Sequence, residues 1–140
     1  MRELPRQLSA EELAPLLSGR TPLVERLARH DYPLGAGWAE ALAEAPEDEQ
    51  AQALAAHPRI GEPSTEQRGA EPEVLEELAR LNTAYEDRFG FRFVVFVNRR
   101  SRAEILPVFR ERLARTREEE LETGLRELVA IARDRWTGTT

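Results

Sequence analysis

The stretch from Ala55 to Gln67 (Ala-Ala-His-Pro-Arg-Ile-Gly-Glu-Pro-Ser-Thr-Glu-Gln) gathers the residue types in this chain best suited to chemistry. His57 is one of only two histidines. The ring of Pro58 crowds the preceding residue out of the α region, so a helix entering this stretch should stop at about Ala56. The imidazole then lies just past a helix C-terminus, where unpaired carbonyls and the macrodipole favour the protonated form. Ser64 and Gln67 fit the S/T-x-x-E/Q pattern of a helix start, whose free N–H groups make an anion-binding edge. The pair reads equally well as a capping box alone. A histidine with an ordinary pKa of ~6.5, a carboxylate at Glu66 and that edge form a candidate acid/base site for an anion.

Composition narrows the chemistry further. The chain has no cysteine and no lysine, so thiolate nucleophiles, disulfides and Schiff bases are excluded, and two distant histidines make a zinc site unexpected. All 20 basic residues are arginine, mixed among 26 acids for a net charge of −6. That balance argues against nucleic acid as a partner and for solvated helix faces. The N-terminus carries no apolar leader and no run approaches the ~18 apolar residues of a membrane span, so the expected setting is the cytoplasm, away from membranes.

The elements that must position the stretch are helical. Ala, Leu, Glu and Arg dominate, β-branched residues are few, and 140 residues suffice for one domain with a real core. Ser9 with Glu12, Ser101 with Glu104 and Thr116 with Glu119 form capping boxes, and Thr21-Pro22 and Pro46-Glu47 open two further helices. A segment through Trp38, Ala41 and Leu42 lies between them. In the helix before His57, Ala51, Leu54 and Ala55 are expected to face inward. Pro72 opens the clearest helix, with Leu75, Leu78, Leu81, Tyr85 and Phe89 at steps of three and four, ending at Gly90. Residues 91–97, Phe-Arg-Phe-Val-Val-Phe-Val, read as buried extended chain without a sheet partner, whose backbone groups need partners, a ligand among them. The whole predicts an all-α fold, a single compact domain (residues 1–140) of about seven or eight helices with one short extended segment.

His57-Pro58-Arg59-Ile60-Gly61, then Glu66-Gln67, then the run from Leu81 to Val94 (Leu-Asn-Thr-Ala-Tyr-Glu-Asp-Arg-Phe-Gly-Phe-Arg-Phe-Val), then Arg100-Ser101, Glu104-Ile105-Leu106 and Arg112-Leu113, resemble the OHCU decarboxylases. The likeness runs from about Leu8 to Arg135. It implies a cofactor-independent decarboxylase, commonly a homodimer, acting on the small-molecule ureide 2-oxo-4-hydroxy-4-carboxy-5-ureidoimidazoline (OHCU) between urate and S-allantoin. It assigns catalysis to His57 and Glu66, and substrate binding to Pro58, Ser64, Gln67, the main chain from Val95 to Arg99, and Arg135. Helical phase allows Arg133 to exchange with Arg135. This chain departs from the family pattern at Pro63, where a serine is usual and Ser64 is its nearest substitute. It departs again at Arg99, where a glycine is usual, and at Trp38-Ala39, all that remains of an S-P-W element. The substrate supplies its own electron sink, since the C5=N bond next to the carboxyl-bearing carbon receives the electrons of the broken C–C bond. Two other readings stand beside this one: a non-catalytic helical interaction module, and a relative retuned to a different cyclic ureide.

Overall fold

The structure, a computed structural model, describes residues 9–19, 21–29, 41, 44–60 and 71–138. Within them are six helices: α1 (Ala10–Leu16), α2 (Pro22–Arg29), α3 (Glu47–Ala56), α4 (Pro72–Phe89), α5 (Arg102–Leu113) and α6 (Arg117–Gly138). No strand occurs among the described residues. The expected segment around Trp38 and Leu42 lies outside them, apart from helical positions at Ala41 and Glu44.

Helix starts follow local chemistry. Ser9 and Ser101 each accept a hydrogen bond from the backbone N–H three residues on, and Glu12 and Glu104 reach back to the cap N–H. Thr116 and Glu119 make the same reciprocal pair at α6, at 3.2 and 3.0 Å. Thr21 Oγ1 accepts from Val24 N at 3.4 Å and so caps α2. At the other end of α4, Gly90 takes φ 81, a left-handed turn that costs a glycine little. Asn98 and Arg99 also have positive φ, 49 and 67. Arg99 therefore sits in a backbone conformation that suits glycine, the residue usual at this position in the family it resembles.

α1 packs on α2 and α6, and α3 packs between α2 and α6, while α4 lies against α5. Gly124 of α6 faces Leu54 of α3 so closely that a Cβ there would approach Leu54 Cδ2 to 3.3 Å. That approach sets α3, and the histidine at its end, against the helix that carries Arg135. On α3 the inward positions are Ala53 and Leu54, with Ala51 partly covered; Ala55, expected to face inward, is exposed. Tyr85, Phe89, Phe91, Phe93 and Phe109 build an aromatic cluster, Phe93 and Phe109 stacked at 3.7 Å between centroids and Tyr85 edge-on to Phe93 at 5.2 Å.

Residues 91–97 run extended through this cluster, and side chains satisfy much of their backbone. Arg112 Nη1 donates to Val94 O at 2.7 Å, Arg100 donates to Phe96 O and Val97 O at 2.7 and 2.9 Å, and Phe96 N donates to Glu127 Oε1 at 3.3 Å. Arg100 is thus structural rather than merely solvated. Arg112 is itself held by Glu120, which is fully buried and also accepts from Tyr85 Oη at 2.7 Å and Arg115 Nη1 at 3.2 Å. The Arg112 guanidinium lies 4.4 Å from the centre of the Phe93 ring. Burial, and after it the bond to Glu120, pushes the Tyr85 phenol far above its ordinary pKa, so it stays a neutral donor.

Candidate active site

Three element ends meet at His57. The α3 helix closes with the His57 N–H on Leu54 O at 3.2 Å, and His57 takes φ −81, ψ 136, the extended conformation that Pro58 imposes. After α1 the chain turns through Ser18, φ 63, and Gly19, φ 149, and a Cβ on Gly19 would stand 3.9 Å from that of Ala56. Near the end of α6, Arg135 reaches back across this turn. Its Nη1 donates to Leu16 O at 2.9 Å and to Ser18 Oγ at 3.0 Å, and Ser18 Oγ lies 3.4 Å from His57 Nδ1. Arg133 is exposed, so it is Arg135 that joins the histidine, through Ser18.

A fourth residue, Arg92, fixes the backbone that carries the ring. Its Nη1 donates to Ala55 O at 2.5 Å and to His57 O at 2.8 Å, covering carbonyls at the end of α3. The loop beyond is tied to α4: Arg59 makes a bidentate pair with Glu86 at 2.7 and 3.0 Å, and Asn82 Nδ2 donates to Ile60 O at 2.9 Å. A groove of about 560 Å³ lies beside this clamp, bounded by Ala51, Ala55, Glu86 and Arg92, and His57 is not part of its lining.

These surroundings reverse the protonation expected from the helix end. Burial first, then the charges of Arg135 and Arg92, push the His57 pKa from 6.5 down to about 4. The carbonyls that would have favoured imidazolium are taken by a guanidinium, and a second guanidinium stands behind Ser18. The ring is neutral at pH 7. It is therefore a proton acceptor at rest, and becomes a strong acid once it has taken a proton.

The other expected site residues fall in different places. Ser64, Glu66 and Gln67 lie outside the described residues. Pro58 is exposed next to His57, and Val95 is buried in the extended segment three residues beyond Arg92. Ser18 and Arg92 were not singled out by sequence. Arg92 sat unmarked inside the Phe-Gly-Phe-Arg-Phe motif, and Ser18 carried only the signal of a polar residue before the glycine that ends α1. Among the described residues no group of three or more His, Cys, Asp or Glu side chains could hold a metal, and no helix is long and apolar enough to cross a membrane.

This is a small all-helical fold with a neutral histidine braced by arginines, and comparison with known proteins places it. The OHCU decarboxylase family profile matches residues 2–137, and the chain belongs to that family. It is 32% identical over 130 residues to 2-oxo-4-hydroxy-4-carboxy-5-ureidoimidazoline decarboxylase of Haloferax volcanii, covering 80% of this chain and 77% of that protein. It is 36% identical over 91 residues to the uric acid degradation bifunctional protein PucL of Bacillus subtilis, covering 56% of this chain; it spans 18% of that longer protein. A crystal structure of an OHCU decarboxylase in the presence of (S)-allantoin superposes with TM-score 0.71 at 24% identity, over 83% of this chain and 88% of the other. A crystal structure of (S)-allantoin synthase gives the same TM-score at 22% identity, over 92% and 48%.

Proposed function

We propose that this chain decarboxylates OHCU to S-allantoin in urate degradation, as a carboxy-lyase that needs no cofactor, with His57 as the group that moves the proton. The observation that carries this reading is the neutral, arginine-braced imidazole of His57 at the meeting point of α1, α3 and α6, in a chain of this family.

The bond between C4 and the carboxylate breaks, and its electron pair forms C4=C5 as the C5=N pair moves onto nitrogen. That nitrogen takes a proton from solvent. The C4 hydroxyl proton passes to His57 and returns to one face of C5 as the C4 carbonyl forms, which fixes the configuration of the product. The substrate carboxylate faces the charge of Arg135, and neutralising that charge makes the ring a better base as substrate enters. In this reading, as the family resemblance implies, Glu66 shares in catalysis by orienting His57 or binding the ureido N–H groups, and Pro58, Ser64, Gln67 and the main chain at Val95 bind the substrate. The same reading carries with it a homodimer in the cytoplasm.

The test is optical. OHCU generated freshly from urate decays on its own to racemic allantoin, whereas the protein at catalytic concentration should give a growing circular-dichroism signal of one enantiomer. Allantoin that forms at the spontaneous rate and stays optically silent rules the activity out.

A further inference from the structure

We propose that Ser18 is a positioning residue for this reaction: its hydroxyl joins Arg135 to His57 Nδ1 and selects the ring tautomer that leaves Nε2 free to take the substrate proton. The proposal rests on the reading of His57 as the proton-transfer group.

Three features of the structure lead to it. Ser18 is a non-glycine residue at φ 63, beside a glycine that could have taken the left-handed position instead. Residues held in such conformations away from their preference cluster where a side chain is aimed for a purpose. Its Oγ accepts from Arg135 Nη1 at 3.0 Å and stands 3.4 Å from His57 Nδ1, so one small side chain connects residues 39 and 117 positions away in sequence. A hydroxyl oxygen has two lone pairs. Arg135 takes one, and on this proposal the other accepts Nδ1–H of a neutral imidazole, the alternative being a hydroxyl that donates to a bare Nδ1, which the tautomer measurement distinguishes. Nε2 is then the bare nitrogen. Without the hydroxyl nothing else among the described residues holds Nδ1, and the ring is released to the Nε2–H form, in which the nitrogen meant to act as base already carries a hydrogen.

Ser18→Gly is the informative variant, because glycine accepts a positive φ without strain and Arg135 keeps its bond to Leu16 O. Ser18→Ala removes the same hydroxyl while keeping a Cβ. Long-range ¹H–¹⁵N spectra at pH 7 read the tautomer, and with only two histidines in the chain the His57 signals are identified by their absence in His57→Asn. Wild type should show Nδ1–H. Both Ser18 variants should shift toward Nε2–H and lose about ten- to a hundredfold in kcat with KM little changed. A His57 tautomer unaltered by loss of the hydroxyl overturns the proposal, whatever the rate does. A switched tautomer with full kcat overturns instead the assignment of proton transfer to His57.

Discussion

His57→Asn is expected to lower kcat for OHCU by about 10²–10⁴-fold, equivalent to roughly 3–5 kcal/mol of barrier, with KM changed only a few-fold. Asparagine offers an amide near the position of Nδ1 and so keeps a polar contact toward Ser18, but it has no group that both takes and returns a proton. The fold should survive. Arg92 grips the main-chain carbonyls of Ala55 and His57, not the ring, and the extended conformation before Pro58 suits asparagine as well as histidine. The measurement is the initial rate of optical-activity growth at saturating and limiting substrate, with the far-ultraviolet spectrum as a check on folding. A variant that folds normally and works at the wild-type rate removes His57 from the chemistry.

Glu120→Ala should destabilise the fold by roughly 3–5 kcal/mol, because it leaves the charge of Arg112 buried without its counterion. Arg112 and Glu120 are 5% and 0% exposed, so neither can turn to water for compensation. The loss also frees the Tyr85 hydroxyl and loosens the guanidinium that holds Val94 O, so the extended segment next to the site loses its anchor. For a domain of this size the midpoint of thermal unfolding should fall by about 10–15 °C. Glu122→Ala, two residues along the same helix, makes the contrast. Its pair with Arg126 is equally short at 2.8 Å, yet both side chains are largely exposed. Its removal should change stability by less than about 0.5 kcal/mol. Urea unfolding of the two variants side by side decides the matter, and equal effects would mean that burial does not govern these pairs.

The features legible in sequence were those whose cause lies within one helical turn. Ser9, Ser101 and Thr116 could be recognised as caps because the partner glutamate is three residues away, and α4 because Leu78, Leu81, Tyr85 and Phe89 repeat at helical spacing. The phase of a helix against its neighbours is not local. On α6 the sequence favours a face through Leu121, Leu125, Leu128, Ile131 and Ala132; the last four are buried, but Leu121 lies only at the edge and Glu120 takes an inward place beside it. That offset turns a residue that looks like surface charge into the centre of a buried network. Extended residues 91–97 were rightly read as needing backbone partners, but those partners are the side chains of Arg100, Arg112 and Glu127, chosen by tertiary packing.

The site shows the same division. His57 stands out in sequence by its proline and its place after a helix, and Arg135 by the family likeness. Ser18, which touches both, could not be, because its role depends on three chain segments converging. The helix end alone gives the wrong sign for the His57 shift, for a related reason. A helix C-terminus favours imidazolium only while its carbonyls are unpaired, and Arg92, 35 residues away, occupies them.

The central claim is that a neutral His57 accepts the proton, and the pH dependence of kcat/KM for OHCU tests it most directly, since that ratio reports the free enzyme. Protonating the ring removes the base, so the rate should fall as the solution is made more acidic, and the fall should be centred where the folded protein's imidazole titrates. The account predicts nearly constant kcat/KM from pH 7 down to about pH 5, with half the activity lost near pH 4 while the far-ultraviolet circular-dichroism spectrum still reports a folded helical protein. Half-loss near the ordinary histidine value of 6.5, or activity that rises as the ring takes its proton, would contradict it.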